Sequence, residues 1–271
     1  MTRPIAIAPI TTPELSPPET VAVAARTGYS HVGLRLMPSM PGGFSWPLAT
    51  DAGLLTRTLD RMQETGVAVL DIDIIRLGPD CEPDSYERLF ETGAELGARA
   101  VLLAGDDPEF ERLAENFAAL CDLAAPFDLS IDLEFMPWTA VPNLASALRV
   151  LTAADRLNAG IVVDALHVDR SGTPIPDLAG IDRRWLHYWQ ICDAPAEPPS
   201  SMQEMIHAAR SERLFPGEGG LDLLAMMKAL PPELPVSVEV PRDSLGRTVG
   251  PEERARRALD ATKRVLGTAA A

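Results

Sequence analysis

Four strand-like runs each carry one metal-ligand side chain among apolar neighbours: Glu134 in IDLEFMP, Asp164 in GIVVDALH, Gln190 in LHYWQICDAP and Glu239 in PVSVEVP. Burying a carboxylate or carboxamide in an apolar strand is unfavourable by several kcal/mol unless a partner compensates. One such residue could be an accident of packing. Four, at the ends of successive strands, imply a shared partner. Three carboxylates and one amide oxygen are hard donors, suited to one divalent ion such as Mn²⁺, Mg²⁺ or Co²⁺. Strand alternation puts Asp132 on the face of Glu134, Tyr188 on that of Gln190, and Ser237 on that of Glu239. The alternative for each residue alone, Gln190 above all, is an ordinary buried hydrogen bond.

Other side chains could complete a reaction centre. His167 follows Asp164 by three residues, just past a strand end. It reads as a catalytic or substrate-polarising imidazole, or else as a loop histidine capping the next turn. His187 lies an odd number of residues before Gln190, so it should face the helices and be structural. His31 also reads as structural. His207, Arg210 and Arg213 are spaced by three, on one face of a helical turn. They are candidates to bind a substrate carboxylate or phosphate. Their alternative is a solvated face paired with Glu204 and Glu212. Trp46, Trp138 and Trp189 could line a polyol pocket or simply pack. Trp138, at the exit of the EFMP strand, is the one expected to touch substrate. PGEGG is not a dinucleotide fingerprint and no Walker sequence occurs, so nucleotide binding has no support.

The elements that must position these residues alternate along the chain. Strands are expected at residues 5–10, 31–36, 68–75, 100–105, 129–136, 159–166, 185–192 and 235–240. Amphipathic helical runs lie between them, one opening on SPPET and another closing at Gly66. Such alternation means parallel strands with crossover helices. Eight units in one run favour an α/β fold of the (β/α)₈ TIM-barrel type, a single domain over residues 1–271. Residues 193–220 and 37–51 form the two least regular connections, on the side where barrel active sites are built. A net charge of −15 argues against nucleic-acid or anionic-membrane partners. No stretch is long and apolar enough to span a bilayer, and the proline-broken N-terminus lacks a signal-peptide core. Three cysteines with no CxxC read as reduced thiols, hence a cytoplasmic protein.

The set LEF, VVD, QxxD and SVEV, in this order, resembles the xylose isomerase-like TIM-barrel superfamily of sugar isomerases, epimerases, dehydratases and repair endonucleases. The resemblance implies that Glu134, Asp164, Gln190 and Glu239 bind one divalent metal. Many members use a histidine in an HxxD motif where this chain has QICD. QICDAP followed by RxxRLFPGEGGLDL looks most like the dehydroshikimate dehydratase branch, while DIDIIRLGPD departs from that branch's longer substrate loop. The implied chemistry is proton abstraction beside a metal-bound carbonyl, with Glu134 and Glu239 as bases and His167 as a candidate acid. The expected activity is isomerisation or epimerisation of a sugar-like or polyol ketone. Dehydration is the first alternative and a non-catalytic polyol-binding barrel the second. The expected partner is a small polyol or keto substrate, anionic if the arginines bind it, and a homo-oligomer is compatible with the sequence.

Overall fold

A computed structural model describes residues 3–39 and 42–268. Eight strands close a barrel in chain order: β1 (Ile5–Ile7), β2 (His31–Arg35), β3 (Ala68–Leu77), β4 (Ala100–Gly105), β5 (Ser130–Glu134), β6 (Ala159–Asp164), β7 (Leu186–Ile191) and β8 (Val236–Val238). Every neighbouring pair is parallel, including the closing pair, where Ile5, Ala6 and Ile7 face Val236, Ser237 and Val238. The protein is therefore a (β/α)₈ TIM barrel. Among the described residues ten α-helices accompany it: α1 (Pro17–Thr27), α2 (Ala52–Thr65), α3 (Glu87–Glu95), α4 (Phe110–Ala124), α5 (Leu144–Ala154), α6 (Ala165–Arg170), α7 (Met202–Ser211), α8 (Leu223–Ala229), α9 (Asp243–Gly246) and α10 (Pro251–Thr268). None of the described helices is long and apolar enough to cross a membrane.

Local chemistry sets the element ends. Ser16 and Glu19 form a reciprocal capping box at the start of α1, with proline in the first turn where its missing N–H does no harm. Gly66 ends α2 at φ 73°, in the left-handed region that a side chain disfavours. β1 stops at Ile7 rather than at residue 10, because a 3₁₀ turn over Pro9–Thr11 takes over. β8 is short because Pro235 and Pro241 bracket it and proline donates no ladder hydrogen bond.

One register shift changes a side chain's direction. Ile161 of β6 pairs with Leu186 of β7, but Val163 pairs with Trp189. β7 thus spends one residue more than β6 between those pairs, a bulge. His187 sits in it and contacts inward-facing Asp132 at 2.8 Å, instead of facing the helices as strand alternation alone predicts.

The apolar core has two layers. Residues such as Ile7, Val32, Phe90, Leu133, Val163 and Trp189 pack between barrel and helices. A smaller cluster fills the barrel, from Ala6, Leu70, Leu102, Val162 and Tyr188 up to Met136. The long connection after β7 contains α7 and is pinned by Asp193, whose carboxylate accepts from the backbone N–H groups of Ala194, Gly217 and Leu221. A Cβ at Gly219 would lie 2.2 Å from the Ala194 carbonyl oxygen, so only glycine fits that return. The other irregular connection, 37–51, includes residues 40–41, outside the described set.

Candidate active site

Glu134 and Asp164 end β5 and β6, Gln190 is next to last in β7, and Glu239 directly follows β8. In a parallel barrel those positions share one face, the C-terminal mouth. All four side chains are buried. Asp164 Oδ1 accepts from the His167 backbone N–H at 3.0 Å, and Oδ2 accepts from Arg213 Nη1 at 2.6 Å. Arg213 Nη2 pairs with Glu239 Oε2 at 2.9 Å. Glu239 Oε1 accepts from Gln190 Nε2 at 3.0 Å. That leaves Gln190 Oε1 buried without a hydrogen-bond partner. His167 Nε2 stands 3.7 Å from Glu134 Oε1. Glu134, Asp164 and His167 each offer a ligand atom within 4.8 Å of the others, a group able to hold a metal ion.

The electrostatics show a site short of positive charge. Burial, reinforced by the charges of Glu239 and Asp164, pushes the Glu134 carboxyl well above its usual range. Burial also lifts Glu239 to about 7, even though Arg213 opposes the shift. Asp164 moves the other way: Arg213 and His167 more than offset its burial. One guanidinium therefore serves two of three crowded carboxyl groups and leaves the third to a proton. His167 is driven down to about 4, first by burial and then by Arg213, against the attraction of Asp164. Both effects favour the neutral imidazole in the metal-free protein.

A cavity of ≈ 170 Å³ opens above these groups, bounded by Glu134, Glu239, His167, Trp138, Met136 and several arginines. Trp138 meets His167 edge-on, with ring centroids 5.1 Å apart and planes at 83°. Arg210 and His207 of α7 are both exposed; Arg210 lines the cavity and His207 does not. Arg213 lies beyond the end of α7. It is only 3 % exposed and is held by the Ala209 carbonyl as well as by its two carboxylates. The three residues expected on one helical face thus have three different environments. Trp189 packs between barrel and helices, and Trp46 lines a separate, more apolar groove with Phe44.

A family model for the xylose isomerase-like TIM barrel matches residues 21–265. The chain belongs to that family. An inosose isomerase of Bacillus velezensis is 29% identical over 155 residues, which is 54% of this chain and 53% of that protein. A 3-dehydroshikimate dehydratase of Pseudomonas aeruginosa is 32% identical over 180 residues, 62% of this chain and 27% of that protein. The chain spans about half the length of the inosose isomerases it matches. Among solved structures, the IOLI protein with a bound zinc atom superposes with a TM-score of 0.80 at 22% identity, covering 98% of this chain and 99% of that one.

Within this family barrel, sequence reasoning missed the β2–β3 side of the mouth. Arg35 ends β2, and Asp73 and Arg76 lie in β3; all three line the cavity. Arg35 grips Asp73 through two hydrogen bonds, of 3.2 and 2.6 Å. The signal is present: HVGLRL and LDIDIIRL carry polar, charged residues in apolar strands, much as the four later runs carry a carboxylate or carboxamide. Asp193 belongs to the QxxD motif, but its carboxylate faces loop amides rather than the mouth.

Proposed function

We propose that this chain is a metal-dependent isomerase or epimerase of a sugar-like or polyol ketone, and that Glu134, Asp164, Gln190 and Glu239 hold its single divalent ion. One observation carries this reading: buried ligand-type side chains from four successive strands share one mouth with too little positive charge. The fit to a cation is supported by the unpartnered Gln190 Oε1 and by two carboxyl groups whose charged form burial disfavours. A divalent ion would reverse that charge balance and favour the ionised carboxylates. The zinc in the IOLI structure supports the same class of cofactor; Mn²⁺, Mg²⁺ and Co²⁺ suit the oxygen-rich donor set here. When bound, the ion would polarise a ketone and stabilise negative charge developing on its oxygen.

The residues divide the remaining work. Glu239, ionised once a cation is held beside it, is the general base in this reading. It takes the proton from the carbon beside the ketone. Glu134 stands on the neighbouring side of the mouth and holds a proton readily. Returning a proton to the same carbon from the opposite face inverts it; returning it to the adjacent carbon isomerises the ketone. His167, neutral and with Nδ1 unpartnered, orients a substrate hydroxyl. Trp138 and Met136 give the cavity a wall that excludes water.

The Pseudomonas relative favours a second reading, dehydration of a cyclic keto acid, in which the same base acts and Glu134 protonates the departing β-hydroxyl. The two separate by experiment. Protein loaded with Mn²⁺, Mg²⁺ or Co²⁺ is incubated in D₂O with inosose, D-allulose and 3-dehydroshikimate, followed by NMR. Deuterium at carbon with a rearranged or inverted product supports the isomerase; loss of water with a new conjugated product supports the lyase. No exchange and no product with any of them, despite bound metal, sinks both.

A further inference from the structure

The connection between β7 and α8 is fixed at both ends and loose between them. At its start, the Pro195 carbonyl accepts from Arg170 Nη2 at 2.6 Å. At its return, the Glu212 carboxylate accepts from the Ser244 N–H and hydroxyl, at 2.9 and 2.6 Å. The Arg213 N–H then donates to the Pro241 carbonyl at 2.8 Å, and Leu214 pairs with Asp193 across an antiparallel bridge. Residues 197–211, which include α7, are held far less. Ala209 is the sole buried side chain of α7, and Met202 is 48 % exposed. Ser200, Ser201 and Glu204 bond to one another. Beyond the helical ladder and its cap, one hydrogen bond ties this segment to other described residues: Arg213 Nε donates to the Ala209 carbonyl at 2.7 Å. Yet α7 forms part of the mouth, since Ala209 and Arg210 line the cavity.

The far end of that guanidinium stands on the floor. Nη1 donates to Asp164 Oδ2 at 2.6 Å and to Cys192 Sγ at 3.4 Å, and Nη2 pairs with Glu239 Oε2 at 2.9 Å. A guanidinium is flat and rigid, so its three nitrogens move together. The Arg213 backbone is pinned at Pro241, so any shift is confined to the side chain. Drawing Nη1 and Nη2 off the carboxylates therefore draws Nε off Ala209. We propose that Arg213 is a positioning residue that latches α7 over the mouth, and that a divalent ion held by Asp164 and Glu239 releases the latch. The inference rests on the metal-binding reading of the floor and adds control of access to it. Two cations then compete for one pair of carboxylates. The ion carries twice the charge and repels the guanidinium at the short distances of the floor. Release loosens α7 and widens the mouth for substrate. Without the ion, Ala209 and Arg210 stay against the cavity.

Amide hydrogen exchange, read peptide by peptide, tests the latch without turnover. In metal-free protein, Arg213→Lys keeps a buried charge beside Asp164 and Glu239 but has no N–H part-way along the side chain to reach Ala209. Exchange over residues 202–211 should quicken roughly 10–100-fold, the range for losing a hydrogen bond from a charged donor. The strands β5, β6 and β8 should exchange as in the wild type. Saturating the wild type with Mn²⁺, followed by calorimetry, should quicken α7 toward the rate of Arg213→Lys and leave α7 of that variant unchanged. An arginine that merely supports the fold predicts the opposite sign, because a bound ion slows exchange wherever it stabilises the native state. Wild-type exchange over α7 in Arg213→Lys, or quickening spread evenly over the barrel, overturns the latch. Slower or unchanged exchange over α7 in the Mn²⁺-saturated wild type overturns its release. If calorimetry shows no Mn²⁺ binding, the floor reading fails and the release with it, while metal-free Arg213→Lys still decides the latch.

Discussion

Two histidines at opposite ends of the barrel have opposite fates. His167 at the mouth is pushed down to about 4, while His187 near the base is pushed up from its ordinary value. Both are substantially buried beside carboxylates. The difference is what else each carboxylate serves. At the base, Asp132 is bonded to the His187 ring at 2.8 Å, and its charge is the largest influence on that ring. At the mouth, Asp164 is committed to Arg213 and to a backbone N–H, so its attraction for the His167 ring does not offset burial. A proton completes the base. At the mouth, three carboxyl groups and one amide oxygen are arranged around a deficit that a protonated histidine does not fill.

The strongest way to sharpen this contrast is at Glu239. Glu239→Gln keeps an oxygen donor but removes the charge and the proton acceptor. With metal saturating, turnover should fall roughly 10²–10⁴-fold, whereas His187→Gln should leave turnover unchanged. Gln190→Glu, which adds charge to the ligand set, should tighten metal binding and affect turnover less. Normal turnover by Glu239→Gln at saturating metal would move the base to Glu134.

At the base, His187→Ala leaves Asp132 buried with no cation. Unfolding in denaturant should show a loss of roughly 2–4 kcal/mol, the range for an unpaired charge that solvent partly reaches. Adding Asp132→Asn to His187→Ala should recover much of it. A loss of the same size in both the single and double variants would mean that packing, not charge, matters there.

The two histidines should also give opposite pH slopes to metal-free stability. The depressed pKa of His167 contributes stability present above the unfolded-state value near 6.5, lost as pH falls through about 4. The full amount is about 3 kcal/mol. His187, with a raised pKa, contributes stability that is fully present below about 6.5 and is lost as pH rises through its folded value. Comparing unfolding free energies of wild type, His167→Gln and His187→Gln across pH should show the first variant flattened on the acid side and the second on the alkaline side. Parallel curves for all three would break the comparison.

A further effect concerns metal uptake. Glu239 titrates at about 7 and Glu134 above its usual range in the metal-free protein, so a cation must displace protons. Apparent Mn²⁺ affinity should rise about tenfold per pH unit for each proton released below pH 7, and calorimetry in buffers of different ionisation heats should count those protons. A pH-independent affinity between 5 and 7 would mean that these carboxyl groups are not ligands.

Residue type and order were enough to expect eight strand–helix units, because apolar runs, capping boxes and left-handed glycines are local signals. They were also enough to single out Glu134, Asp164, Gln190 and Glu239, because a polar residue in a buried strand is conspicuous along one dimension. Arg35, Asp73 and Arg76 carry that same signal in β2 and β3. What the chain order could not show was pairing. The bulge that turns His187 onto Asp132 depends on register with β6, and register is a property of two strands together. Likewise, only closure of the barrel brings Arg213 onto Asp164 and Glu239. Burial and charge compensation are set by neighbours distant in sequence, so the tertiary structure decided which carboxylates are pushed up and which is held down.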